Sequence, residues 1–329
     1  LLSVGAFLLA MFLTPIYTFF AYRYRFWKRQ RSESTDGKEL KIFAKFQAAK
    51  LRRNIPTMAG VIGVISIFVV TIFFNLDRAQ TWLPLAALVG GGIVGLIDDI
   101  INLRGLGGGA AGLRSPVKFA LITLIGVVLG WFFFAKLGVA SFHVPFVGEV
   151  NIGWLIVPLF AFAVVATGNA VNISDGMDGL AGGLLGISFG AFGVIALLQQ
   201  HVILAGFCFT VVGVLLSYLW FNIYPARFFM GYVGSFAYGA CLGVVAMLTD
   251  SLLLLPVIGL LFVIEAGSSL TQIVSKKLFK RKIFLSAPIH HHLEAIGWPE
   301  TKVTMRFWVI GCVMAFIGVM LALAGGHIA

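Results

Sequence analysis

The sequence predicts an all-α polytopic membrane protein of ten transmembrane helices, with both termini extracytoplasmic and the ninth helix bent or broken. Three observations predict it. First, 60% of the 329 residues are hydrophobic and 11% are charged, whereas a soluble domain carries roughly 25% charged residues. Second, apolar runs long enough or nearly long enough to span recur at 1–22, 57–74, 82–97, 117–134, 154–168, 180–198, 202–221, 235–249, 252–275 and 307–325; a bilayer core needs about 20 such residues. Third, ten crossings place 22 of the 24 lysines and arginines on one side, leaving Arg78 and Lys136 on the other. Lysine and arginine concentrate in cytoplasmic loops, and one helix more or fewer scrambles that split.

Taken in order, run 1–22 has no basic start and no small-residue cleavage site, so it reads as a retained helix rather than a signal peptide. Loop 23–56 carries 11 of the basic residues, and its acids Glu33, Asp36 and Glu39 read as solvated surface. The next two runs flank Asp77 and Arg78 and deliver Asp98 and Asp99, in "GLIDDI", to the cytoplasmic side. Runs four and five flank Lys136 and Glu149 and end at "NAVNISDGMDGLAGG". Runs six and seven lead to "FNIYPARFFMGYVGS". Runs eight and nine lead to the lysine-rich loop 276–306 and its three consecutive histidines, and run ten returns. The third, fifth and eighth runs are short. With no Ser/Pro-rich linker, repeat or low-complexity tract, residues 1–329 read as one domain. Cys208, Cys241 and Cys312 lie inside apolar runs without metal spacing and read as small hydrophobes.

Carboxylates at a membrane edge can be mere helix ends, but two groups stand apart. Asp98 and Asp99 are adjacent like charges, costly unless a cation or basic group lies near. Asp175 and Asp178 are spaced i,i+3 and share a face if the turn is helical. They lie among Asn169, Asn172, Gly176, Gly179, Gly182 and Gly183, which suit hydrogen bonding and close approach of a ligand. Two acid pairs on one side suggest a divalent cation with phosphate, since Mg²⁺ takes one or two carboxylates and fills its shell with phosphate and water. In the loop 221–235, aromatics could stack on a base, although composition alone favours an interfacial aromatic belt. Glu265 is the one acid deep in an apolar run.

Zinc is the first chemistry that His290, His291 and His292 suggest. Successive helical residues diverge by about 100°, so three neighbours cannot reach one ion from a regular helix. Beside Lys276, Lys277, Lys280, Arg281 and Lys282, they read better as a grip on an anion such as phosphate. The basic belt suits anionic headgroups and phosphorylated substrates. Nucleic acid is not expected, because no aromatic-plus-basic platform is present. A transporter is disfavoured, because transporters place polar groups near the midplane and here nearly all acids lie at one face.

The motifs "IPTMAG" (55–60), "DD" (98–99), "NAVNISDGMDGLAGG" (169–183), "NIYPARFFMG" (222–231) and "APIHHHLEAIGWPE" (287–300) together resemble the polyprenyl-phosphate N-acetylhexosamine-1-phosphate transferases. The triple histidine after "API", followed by "GWPE", points to their phospho-N-acetylmuramoyl-pentapeptide branch. The resemblance covers nearly the whole chain. It implies a Mg²⁺-dependent enzyme of the bacterial inner membrane, working at the cytoplasmic face on a UDP-linked muramoyl-pentapeptide and a polyprenyl phosphate. UMP is released and a lipid diphosphate sugar forms. A homodimer is the assembly to test, and an N-acetylglucosamine donor is the near alternative.

By motif position, the resemblance implies that Asp98, Asp99 and Asp175 are catalytic and hold Mg²⁺, with one of the pair as base for the lipid phosphate. His290, His291 and His292 then face the diphosphate and sugar, and Lys118 binds phosphate. Asn172, Gly176, Met177, Asp178, Asn222 and Phe229 form the donor pocket, with Phe229 as the stacking ring. The stretch "IEAGSSLTQ" around Gly267 implies the bend in the ninth helix, with a lipid groove beside it. Two positions depart from the family pattern. Asn102 stands where a lysine is usual, and Tyr232 stands where the family has a metal-binding aspartate. A phenol of pKa about 10 is a poor ligand, so a catalytically impaired homologue that only binds is a further expectation.

Overall fold

The computed structural model describes residues 1–27, 54–105 and 112–326; Glu33, Asp36 and Glu39 lie outside them. The chain is mostly helical. Its long helices are α1 (Leu2–Arg23), α2 (Gly60–Phe74), α3 (Trp82–Arg104), α4 (Ser115–Ala135), α5 (Ile156–Ser174), α6 (Leu180–Leu198), α7 (Val202–Asn222) and α8 (Gly231–Leu248). Then follow the short α9 (Leu255–Ile258), α10 (Leu260–Leu278), the short α11 (Ile289–Ala295) and α12 (Glu300–Ala324). Between α4 and α5 lies an antiparallel hairpin, β1 (Ser141–Val144) with β2 (Gly148–Asn151), in which His143 pairs with Glu149.

Among the described residues, eight helices are long and apolar enough to cross a membrane, and a ninth span arises if the bent α9–α10 segment is one. The 15-residue α2 is shorter, at about 22 Å against a hydrocarbon core of about 30 Å. Among these spans α8 is the most enclosed, with 89% of its apolar window buried against 22% for α1 and 28% for α12, and it packs chiefly on α3 and α5.

The bend in the ninth apolar run is present, at 81°, but it lies at Gly259 rather than around Gly267. Pro256 opens the short α9, and Gly259 leaves helical dihedrals at φ −95° and ψ 26°. Gly267 sits inside regular α10, where the Ser268 hydroxyl donates to the Glu265 carbonyl at 2.8 Å.

Several helices also outrun their apolar stretches. α3 continues to Arg104, α5 to Ser174, and α12 begins at Glu300. The polar residues beyond each stretch are therefore held on rigid helix ends. These ends form one connected group, because Val233 of α8 bonds Asp99 of α3, Asn172 of α5 bonds Ser235 of α8, and Asp178 bonds Glu300 of α12.

Candidate functional site

Asp98 and Asp99 are wholly buried at the end of α3. Asp98 Oδ1 accepts the Leu113 N–H at 2.6 Å and lies 3.3 Å from the Lys118 ammonium, in the first turn of α4. Asp99 Oδ2 accepts the Val233 N–H at 3.1 Å. Close approach of backbone to these carboxylates requires glycine. A Cβ at Gly112 (φ +111°) would fall 2.7 Å from Asp98 Oδ1, and one at Gly231 (φ +71°) 2.6 Å from Asp99 Oδ2. Tyr232 opens α8 beside them. Its ring lies 4.6 Å from the Lys118 ammonium and stacks on Phe236 with centroids 6.0 Å apart. One lysine thus joins the acidic pair to the aromatic residue that replaces the expected acid.

A divalent cation fits this corner. Asp98 Oδ2 is buried with no hydrogen-bond partner among the described residues, and a buried carboxylate oxygen is costly unless paired. Asp175 caps the end of α5 (φ −80°, ψ 52°) and is half-buried. Asp98, Asp99 and Asp175 do not bring three ligand atoms within 4.8 Å of one another.

Asp175 and Asp178 do not share a helix face as their spacing suggested, because the chain leaves α5 at Asp175 and turns before α6. Asp178 points inward: its Oδ2 accepts the Ala226 N–H at 3.0 Å, and its own N–H donates to Glu300 Oε1 at 2.6 Å. Asn222 does the same work, accepting from Gly179 N–H and donating to the Phe228 carbonyl, both at 2.9 Å. Met177, Asp178 and Asn222 are all nearly inaccessible. Asp178 and Asn222 clamp the loop 223–230 onto the 175–179 turn, and Met177 is part of the hydrophobic core beneath. That loop in turn zips to the "IPTMAG" segment through Phe229 N–H to Pro56 O and Ala59 N–H to Phe229 O, at 2.9 and 3.0 Å. Of its two rings, Phe228 is core, packed on Tyr17, Tyr218 and Phe221, whereas Phe229 is half-buried. Asn172 donates to Ser235 Oγ at 2.8 Å.

The three histidines lie at the start of α11, each with Nδ1 engaged. His290 Nδ1 is 2.7 Å from Glu265 Oε2, both wholly buried. His291 Nδ1 is 2.7 Å from Glu294 Oε2, and His292 Nδ1 accepts the Leu285 N–H at 3.2 Å. A histidine that accepts at Nδ1 carries its proton at Nε2 and is a donor there while neutral. One that donates Nδ1–H to a carboxylate offers an Nε2 donor only as imidazolium. His292 can therefore offer an Nε2 donor from a neutral ring, whereas His290 and His291, with Nδ1 turned to Glu265 and Glu294, offer one there only when both ring nitrogens carry protons. The His290 ring packs directly over Gly176, where an added Cβ would collide with Nε2, so the histidine helix and the 175–179 turn meet.

Sequence reasoning left Glu265 without a partner and missed what α10 does. Glu265, Ser268, Gln272 and Ser275 recur at helical spacing on one buried face. Ser268 Oγ accepts Ile289 N–H, Gln272 bonds Ile283 and Phe284, and Ser275 donates to the Arg281 carbonyl. A polar stripe at i, i+3, i+7 and i+10 in an apolar helix was the available signal; it straps the 279–292 segment and its histidines to α10.

Residues 81–250 match the family model described as glycosyl transferase family 4. The chain is 39% identical over 340 residues to a phospho-N-acetylmuramoyl-pentapeptide-transferase of Chloroflexus aggregans, covering 99% of this chain and 90% of that one. It is 35% identical to the protein of the same name from Geobacillus thermodenitrificans, covering 95% and 94% of the two chains. For that of Levilactobacillus brevis the identity is 40% over 276 residues, covering 82% and 84%.

Proposed function

The chain belongs to glycosyl transferase family 4 and, within it, to the phospho-N-acetylmuramoyl-pentapeptide transferases, and from that premise we infer its reaction. It transfers phospho-N-acetylmuramoyl-pentapeptide from the UDP-linked donor to undecaprenyl phosphate, releasing UMP and forming lipid I in peptidoglycan synthesis. An oxygen of the lipid phosphate attacks the donor phosphorus nearest the sugar. A P–O bond forms there, the P–O bond to UMP breaks, and UMP leaves with the electron pair. Catalysis of such a transfer is mostly positioning and charge neutralisation.

The observation that carries the reading is the buried Asp98–Asp99 pair with Lys118 at 3.3 Å, at the convergence of the helix ends. In this account Lys118 and the histidines receive the phosphate charge, and Glu265 and Glu294 hold His290 and His291 in place. Asp178 and Asn222 shape the donor pocket by clamping its loop, Met177 backs the turn from the core, Gly176 keeps space beside His290, and Phe229 is the ring left half-exposed for uracil. Asp98 and Asp99 would hold Mg²⁺, with Asp175 near the phosphates; the ion supplies charge neutralisation when bound. We place this site on the cytoplasmic face of the inner membrane, in a ten-pass chain with both ends outside. The support is that 22 of the 24 lysines and arginines then fall on that face. Tyr232, in place of a carboxylate, lowers the rate without changing the reaction.

The test is UMP release in undecaprenyl-phosphate vesicles from UDP-linked muramoyl-pentapeptide and, separately, from UDP-N-acetylglucosamine. Release from the first alone is expected; release from the second alone contradicts the donor assignment.

A further inference from the structure

At the other end of the bundle, a second group of side chains has no part in this reaction. α8 starts beside Asp99 and runs 18 residues before the turn that holds Asp250, a separation of about 27 Å. There the α4–α5 hairpin, the α8–α9 turn and the end of α12 meet. His143 and Glu149 stand opposite each other in the hairpin. With Asp250 they offer three ligand atoms, all within 4.8 Å of one another.

We propose that His143, Glu149 and Asp250 form a zinc site that pins the α4–α5 hairpin to the α8–α9 turn and the end of α12. The orientation of the histidine supports this. Its Nε2 lies 2.8 Å from the Gly325 carbonyl oxygen, which can only accept, so the neutral ring carries its proton there and has its lone pair at Nδ1. A ligating histidine almost always donates its other ring N–H to such an acceptor, fixing tautomer and direction. His143 is 9% exposed, whereas Glu149 is open to solvent, so the group has a rigid wall and an entry side. Asp250 Oδ1 is also held by the His143 N–H at 2.9 Å. A cation between the Glu149 and Asp250 carboxylates offsets the repulsion of two neighbouring acids. One imidazole and two carboxylates, with a fourth position for water, is a zinc donor set; a wholly oxygen set would suit Mg²⁺ or Ca²⁺.

The experiment is a Zn²⁺ titration of the 329-residue chain, stripped of metal and purified in detergent, by calorimetry. Wild type is compared with Glu149→Gln, Asp250→Asn and His290→Ala. Glu149 is exposed, so its variant keeps the fold even if the Asp250 variant does not. Wild type and His290→Ala are expected to bind one tight zinc. Glu149→Gln should bind it at least about 100-fold more weakly, since even outer partners of a metal ligand are worth 10–100-fold, while releasing UMP at the wild-type rate. Equal zinc stoichiometry and affinity in wild type and Glu149→Gln overturns the proposal, as does loss of the tight zinc in His290→Ala alone.

Discussion

Replacing Tyr232 by aspartate should raise UMP release about 100-fold at saturating Mg²⁺, which is about 2.7 kcal/mol at tenfold per 1.36 kcal/mol. The Tyr232 ring now lies 4.6 Å from the Lys118 ammonium, which is itself 3.3 Å from Asp98. The substitution gives up about 0.5–2 kcal/mol of cation–π attraction. A carboxylate at that separation attracts a single positive charge by about 3.6 kcal/mol at an effective dielectric of 20, and a divalent ion by twice as much. A third carboxylate beside Asp98 and Asp99 therefore favours Mg²⁺ over Lys118 alone, and desolvation reduces the gain to the few kcal/mol predicted. The gain belongs to the transition state, where phosphate charge moves. A uridine nucleoside inhibitor, held by stacking and base contacts, should keep its affinity within about threefold. The assay is UMP release across a Mg²⁺ titration beside an inhibitor-binding isotherm. Tyr232→Phe, which keeps the ring over Lys118, serves as control and should stay near wild type. A wild-type chain that is already fully active, with an aspartate variant no faster, refutes the reasoning about this corner.

Other outcomes follow from the same geometry. Lys118→Met should lower turnover at least about 100-fold and lower the melting temperature, because it strands the buried Asp98 carboxylate, with Lys118→Arg recovering part of both; turnover and thermal unfolding measured together check this. Glu265→Gln should slow turnover about 10–100-fold with little change in melting temperature, since it weakens a charged hydrogen bond worth about 1.5–3 kcal/mol; an unchanged rate removes Glu265 from the histidine arrangement. Gly176→Ala should displace the His290 ring and cut turnover while circular dichroism stays native. Single cysteines near residues 105, 175, 228 and 290 should label from one side of the membrane, and those near 78, 146, 200 and 250 from the other; one exception breaks the ten-pass topology.

Hydropathy and charge made the helical membrane architecture legible, because both are sums over many residues. Helix ends were less legible, since Asp98, Asp99, Asn172 and Glu300 are polar yet helical and a hydropathy window stops before them. The bend at Gly259 was hidden because "LLLLPVIGLL" is apolar on both sides of it. The acids and histidines of the site stood out by their rarity in an apolar chain. Their partners did not: nothing local in Glu265 names His290, 25 residues away, and nothing in Lys118 announces the ring of Tyr232. The inward turn of Asp178 and Asn222 was likewise invisible, because its acceptors and donors are backbone groups of another loop. His143 and Asp250, 107 residues apart in sequence, meet only through the fold.

The central claim is transfer of a sugar phosphate rather than of a sugar, and the fate of the donor's two phosphorus atoms tests it most directly. UDP-linked muramoyl-pentapeptide is labelled with ³²P either at the phosphate next to the sugar or at the one next to uridine. It is incubated with this chain, undecaprenyl phosphate and Mg²⁺, and the lipid is extracted into butanol. The account predicts that the sugar-side label enters the lipid and the uridine-side label stays in water as UMP. Both labels remaining in water as UDP while the sugar enters the lipid would contradict it.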